Sequence, residues 1–303
     1  MNHFSGIWIP LVTPFADGEV DYIAAQKLAR HMVDSGVHGL VVCGTTGEAT
    51  NLSQVEKELL LEAIIDAVRG RCPVLMGLNG SNTRAVASDA WAFQRSGIDG
   101  YLMSAPCYVR PSQEGIIEHF RHIARVTDLP IVIYNIPSRT GINMDVRTIA
   151  ALCESTQFVA VKECGGMQQL ATLINDGFCN VLCGDDALLF NALVHGGHGA
   201  ISASAHVCPE LFVAMYTLTK QRKFDQARAL FNQLLPLIRL LFSEPNPAPV
   251  KAALAMQGWI HDELRLPMLP ASSACQEQLR HALDSLESLK PIYQISGVKT
   301  YAA

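Results

Sequence analysis

Four apolar segments of this chain each run into residues able to move protons, hold an anion or attack a carbonyl. Phe158-Val159-Ala160-Val161 ends in Lys162 and Glu163, and Ile131-Val132-Ile133 ends in Tyr134, with Arg139 five residues on. Gly100-Tyr101-Leu102-Met103 leads into Ser104-Ala105-Pro106-Cys107-Tyr108, and Gly39-Leu40-Val41-Val42-Cys43 into Gly44-Thr45-Thr46-Gly47-Glu48. A lysine carried to the end of a buried strand loses hydration, which disfavours its ammonium form and lowers its pKa. An amine freed in this way attacks a keto group and forms a Schiff base. A tyrosine passes a proton when its hydroxyl lies within hydrogen-bond reach of the reacting atom. The glycine-bracketed threonine turn offers backbone N–H groups and hydroxyls to a small 2-oxo acid carboxylate. Arg139 follows a proline turn, and its planar fork suits a second carboxylate. Each residue alone also has a structural reading: a strand-end lysine in a salt bridge, packed tyrosine rings with wet hydroxyls, an ordinary turn, a solvated arginine.

The elements that must position these groups follow from the pattern. Strands are predicted over Ile7–Thr13, Gly39–Cys43, Val74–Leu78, Gly100–Met103, Ile131–Tyr134, Phe158–Lys162, Asn180–Gly184 and Ala200–Ser204. They recur about every thirty residues with helical patterns between them, which is the rhythm of strand-helix-strand units. Tyr22–Ser35 and Val55–Val68 read as amphipathic helices, and Ser53-Gln54-Val55-Glu56 has capping-box spacing. Eight strands joined by right-handed crossovers predict a closed TIM (β/α)8 barrel over residues 1–222, with polar chemistry at the C-terminal strand ends. An open doubly wound sheet is the alternative, but no Gly-x-Gly-x-x-Gly follows the first strand. After about residue 207 the pattern becomes helical, over Cys208–Gln221, Phe224–Phe242, Pro249–Gly258 and Ala274–Leu289, so residues 223–303 are predicted as a C-terminal helical domain.

The chain has 303 residues, 49% of them hydrophobic and 17% charged, which is ample for one large α/β domain of about 250 residues and an appendage. No stretch reaches the roughly 18 apolar residues of a membrane span, and the N-terminus lacks the basic region of a signal peptide. A net charge of −5 without basic runs argues against a nucleic-acid partner. The nine cysteines are scattered, mostly in apolar runs and without a Cys-x-x-Cys pair, so free thiols in the cytoplasm are expected. His195-Gly196-Gly197-His198 reads as a helix stop rather than a metal pair.

Taken together, the chain resembles the dihydrodipicolinate (4-hydroxy-tetrahydrodipicolinate) synthases of the pyruvate-dependent class I lyase superfamily, which includes N-acetylneuraminate lyase. The likeness runs from Gly6 to about Pro270. It rests on Gly44 to Glu48, Pro106 to Gly115, Tyr134 to Gly141, Val161-Lys162-Glu163, Gly184-Asp185-Asp186, Gly196 to Ser202 and Glu244 to Lys251. Pro137-Ser138-Arg139-Thr140-Gly141 points to the synthase branch. The resemblance implies that Lys162 forms the Schiff base with pyruvate and that Tyr134, Thr45 and Tyr108 relay protons. It implies that Tyr108 crosses a subunit interface of a homotetramer built as a dimer of dimers. Thr45 and Thr46 would hold the pyruvate carboxylate, Ile201 would lie near the imine, Gly184 would line the substrate site and Arg139 would hold L-aspartate 4-semialdehyde. No cofactor, nucleic acid or membrane is implied. A pyruvate-dependent aldolase of a 2-keto-3-deoxy sugar acid would use the same lysine and tyrosine, but not Arg139. Two departures stand out. Members often have two consecutive tyrosines where this chain has Cys107-Tyr108. Some members have a lysine-feedback site of His, Asn and Glu, where this chain has Gln54, Lys57, Ser81 and Ala85, so insensitivity to lysine is expected.

Overall fold

The computed structural model describes residues 4–287. Eight strands, β1 (Gly6–Pro10), β2 (Gly39–Val42), β3 (Val74–Leu78), β4 (Gly100–Ser104), β5 (Ile131–Asn135), β6 (Phe158–Glu163), β7 (Asn180–Cys183) and β8 (Gly199–Ile201), close a barrel in the order β1-β8-β7-β6-β5-β4-β3-β2. This is the predicted (β/α)8 barrel. The strands are buried almost throughout, which is why they read as continuous apolar runs without alternation.

Two strands stop three residues short of their predicted ends, while β2 and β7 each stop one residue short. β1 ends at Pro10 because the Val12 N–H turns away to the ring Nε2 of His206 at 3.2 Å. β8 ends at Ile201 because Ser204–His206 winds into a 3-10 turn. A two-residue hairpin, Phe15–Ala16 with Glu19–Val20, was too short to show in the sequence pattern.

By contact density the chain forms two compact units. One comprises the residues up to Ser5 and Pro73–Ile201, and so holds β3 to β8. Within it β5, β6 and β7 pair side by side, with a register shift between Ile131 and Val132, after which Tyr134 stands opposite Lys162 and Lys162 opposite Leu182. The other comprises Gly6–Cys72 and everything from Ser202. Its helix Gln54–Val68 begins with the predicted capping box, Ser53 Oγ accepting from the Glu56 N–H at 3.2 Å and Glu56 accepting from the Ser53 N–H at 2.8 Å. Glu56 also receives both guanidinium branches of Arg265, which hold its carboxyl down at about 2. Helices Pro209–Lys220, Phe224–Leu241 and Ala248–Met256 match the predicted ones to within two residues. The fourth begins at Ser273 and is described to Glu287, so the predicted end at Leu289 lies outside the described residues. No helix among them is long and apolar enough to cross a membrane.

Candidate active site

Tyr134 and Lys162 occupy one rung of the β5/β6 ladder, so their side chains leave the sheet on the same face. The ammonium Nζ of Lys162 lies 4.3 Å from the centroid of the Tyr134 ring, with Lys162 only 6% exposed. Gly184 completes the contact from beyond β7. A Cβ there would overlap the Cys164 sulfur and sit 3.0 Å from both Cγ and Cε of Lys162. The glycine is therefore the floor on which the lysine stem rests.

The sequence led to the expectation of a lysine pKa lowered by burial. Burial does lower it, but Tyr134, Cys164 and Asp186 act in the opposite sense and leave Lys162 above its ordinary value. The Cys164 thiol is itself pushed up to about 12 by burial, so it is uncharged near neutrality. Asp186, which acts in the same sense as Tyr134, is buried as well. The net pull favours the ammonium form of Lys162.

The remaining predicted residues fall into different settings. Thr46 is buried and its hydroxyl accepts from Asn246 Nδ2 at 3.0 Å, while Thr45 is half-buried. The glycines around them have unequal roles. A Cβ on Gly47 would lie 2.8 Å from the Leu11 carbonyl oxygen, so packing demands that glycine, and its N–H is already given to the Gly44 carbonyl at 3.1 Å. Glu48, the end of the same turn, is buried against Lys251 Nζ at 2.5 Å, a pairing 203 residues apart that no local pattern could announce. Ile201 is buried at the end of β8. Arg139 is exposed on a short helix, Pro137–Thr140, rather than in a turn. Arg110 was overlooked in the sequence; its stem packs about 3.5 Å from the site a Gly141 Cβ would take, which brings a second cation to the same loop. Tyr108, with φ of 69°, is 91% exposed and takes no part in the packing around Lys162 within one chain. His195 and His198 have structural partners, the Asn191 carbonyl and the Val181 N–H.

A sequence model of the dihydrodipicolinate synthetase family matches residues 3–286. The chain belongs to that family. It is 38% identical over 291 residues to the 4-hydroxy-tetrahydrodipicolinate synthase of Magnetococcus marinus, a match covering 95% of this chain and 99% of that one. It is 41% identical over 283 residues to 4-hydroxy-tetrahydrodipicolinate synthase 2 of Clostridium acetobutylicum, covering 92% and 99%. Among solved structures, the 4-hydroxy-tetrahydrodipicolinate synthase of Methylacidiphilum fumariolicum superposes with a TM-score of 0.92 at 35% identity, over 96% of this chain and 98% of that one.

In this member of the dihydrodipicolinate synthetase family the rung after Tyr134/Lys162 faces the other way and carries Asn135 and Glu163. Asn135 Nδ2 lies 3.0 Å from each carboxylate oxygen of Glu163, Gln169 Nε2 lies at 3.3 Å, and the Gly165 N–H also donates. Asn135 Oδ1 in turn accepts from the Met144 N–H at 3.1 Å. This network braces the back of the Lys162 strand. Burial pushes the Glu163 carboxyl up to about 7, against the opposing pull of those donors. Its ordinary value is 4.5. A raised acid favours the protonated folded state, so its stabilisation is complete below the ordinary value and is lost as pH rises through about 7. The loss amounts to about 3 kcal/mol. Glutamine has the shape of the protonated acid at every pH. Denaturant titrations at pH 5 and pH 8 should therefore show the stability of the parent falling relative to that of Glu163→Gln as pH rises. Parallel pH dependence in both proteins would remove Glu163 from this role.

Proposed function

We propose that the chain is a 4-hydroxy-tetrahydrodipicolinate synthase, condensing pyruvate with L-aspartate 4-semialdehyde in lysine and diaminopimelate biosynthesis. The observation that carries this reading is the buried Tyr134/Lys162 rung on the floor formed by Gly184, within a chain of this family. Lys162 gives up its proton and attacks the keto carbon of pyruvate. Loss of water, assisted by a tyrosine proton, leaves the imine. Removal of a methyl proton yields the enamine, whose carbon attacks the aldehyde. The amino group of the second substrate then closes the ring on the imine carbon and releases Lys162. Tyr134, Thr45 and Tyr108 carry the protons, and the Thr45 and Thr46 backbone holds the pyruvate carboxylate. The Ile201 carbonyl lies near the imine, and Gly184 lines the site beneath the lysine stem. Arg139 binds the carboxylate of the semialdehyde.

The exposure of Tyr108 and its neighbour Val109 supports a working form in which a second copy covers them, as a dimer of dimers. The free cysteines accord with a cytoplasmic enzyme. The barrel assigned to residues 1–222 carries the reacting groups, and the C-terminal helical domain assigned to residues 223–303 carries none of them. Ser81 spends its hydroxyl on the Cys107 carbonyl at 2.7 Å, in keeping with insensitivity to lysine.

The test is turnover of pyruvate with L-aspartate 4-semialdehyde, followed through Arg139→Ala. A bidentate Arg–carboxylate contact contributes about 1.5–3 kcal/mol, so the Michaelis constant for the semialdehyde should rise about tenfold or more, with pyruvate much less affected. Turnover only with sugar-derived acceptors would overturn the substrate assignment. Equal damage to both Michaelis constants would make Arg139 structural.

A further inference from the structure

We propose that the unit formed by Gly6–Cys72 and the residues from Ser202 binds an aromatic α-amino acid whose ring carries an N–H or O–H donor. The site is a cavity of about 610 Å³ between helices Tyr22–Asp34 and Ser273–Glu287 and the C-terminal end of helix Ala248–Met256. A volume of this size takes one small organic molecule. All of its walls belong to this one unit, and none of Lys162, Tyr134, Thr45 and Arg139 lines it. The proposal therefore does not depend on the substrate reading.

The depth of the cavity selects the ring. His31 and Trp259 stack with ring centroids 4.0 Å apart and planes 16° from parallel, and both line the cavity. An aromatic ring suits that wall better than an alkyl chain, because ring pairs attract beyond the area they bury. Gln257, the cap residue after helix Ala248–Met256, donates its Nε2 to the Val207 carbonyl at 2.9 Å. That bond orients the amide and leaves Oε1 buried, with no hydrogen-bond partner among the described residues. A carbonyl oxygen in that state costs stability until a donor reaches it, so a ring bearing N–H or O–H is favoured over bare hydrocarbon.

The rim selects the head group. Arg280 and Asp284 line the cavity four residues apart on helix Ser273–Glu287, and both are exposed. Neither takes part in an ion pair among the described residues. Residues at i and i+4 are neighbours on a helix surface, about 5–6 Å apart at Cβ. An α-carboxylate and its α-ammonium are adjacent too, so one head group meets both, the carboxylate on the guanidinium fork and the ammonium on Asp284. A plain carboxylic acid leaves Asp284 unmatched, and a plain amine leaves Arg280 unmatched. Glu210 adds a second carboxylate to the lining, which disfavours ligands of net negative charge. With the charges at the exposed rim and Gln257 Oε1 buried, the ligand enters ring first.

Calorimetric titration of the full-length protein with L-tryptophan tests the assignment. The expected result is saturable binding of one molecule per chain, with a Kd at or below about 1 mM. L-Phenylalanine has the ring and head group but no ring donor, and it should bind about tenfold more weakly. Tryptamine and indole-3-propionate, which each lack one charge, should be weakened by about the same factor. Arg280→Ala should weaken tryptophan about tenfold or more and leave tryptamine unchanged. Gln257→Leu should bring tryptophan down to the level of phenylalanine. Arg280 is exposed, so its variant decides the matter even if Gln257→Leu folds poorly. No saturable binding up to about ten times that concentration would overturn the proposal. Equal affinity for tryptophan and phenylalanine would overturn it too, as would tryptophan binding that Arg280→Ala leaves untouched.

Discussion

Replacing Lys162 with alanine should abolish the covalent capture of pyruvate. In the parent protein, borohydride with pyruvate should add a stable mass to the peptide that contains Lys162, because reduction would turn the imine into a secondary amine. In Lys162→Ala that mass is absent and turnover falls by about 10³-fold or more, equivalent to roughly 4 kcal/mol of barrier. Trapping on another lysine would sink the assignment. The same variant tests the role of Tyr108. If each site borrows Tyr108 from a second copy, subunits of Lys162→Ala mixed with subunits of Tyr108→Phe form hybrids. In these, the intact Lys162 of one chain meets the intact Tyr108 of the other. Activity should reappear on subunit exchange, and its absence despite demonstrated exchange would place Tyr108 outside the reaction.

The second large effect is structural. Lys251 and Glu48 are 0% and 2% exposed at the side chain, joined at 2.5 Å, with Lys251 Nζ also donating to the Glu263 carbonyl at 2.8 Å and lying 4.2 Å from the Phe15 ring centroid. Burial lowers the lysine pKa and Glu48 opposes that, which makes the pair interdependent. Lys251→Met leaves a buried carboxylate without its cation, and such losses cost about 3–5 kcal/mol. Adding Glu48→Gln removes the stranded charge, so the double variant should recover much of the stability. Denaturant midpoints of the two single variants and the double variant measure this directly. Strictly additive losses would show that the two groups act separately. Because Glu48 closes the turn that carries Thr45 and Thr46, the single variant should also lose activity.

The eight strands were legible because burial on both faces leaves continuous apolar runs, and the helices because their caps and one-sided apolar faces are local. What escaped was either short or distant. The Phe15–Ala16 hairpin is two residues per strand, and no periodicity can register in so small a window. The Glu48–Lys251 pair joins two motifs, each recognised separately, across 203 residues. The direction of the Lys162 shift also escaped, since burial is readable from an apolar run but the placement of Asp186 beside the ammonium is not. Glu163 was within reach. Period-two alternation puts it opposite Lys162, so a charged residue immediately after the strand lysine had to face the helical layer.

The unit formed by Gly6–Cys72 and the residues from Ser202 has a consequence for biosynthesis. The Ser202 N–H bonds to the Trp8 carbonyl, the Val12 N–H to His206, and Arg265 to Glu56. These partners are separated by 194 residues in one case and 209 in another. At ribosomal speeds of about 5–20 residues per second, the first segment emerges roughly 10–40 s before its partners exist. During that interval β1, whose five residues are all buried in the finished protein, is an exposed apolar strand without its final neighbours. The nascent chain therefore carries an unpaired apolar strand through most of its synthesis, and the unit can close only when its last segments have emerged.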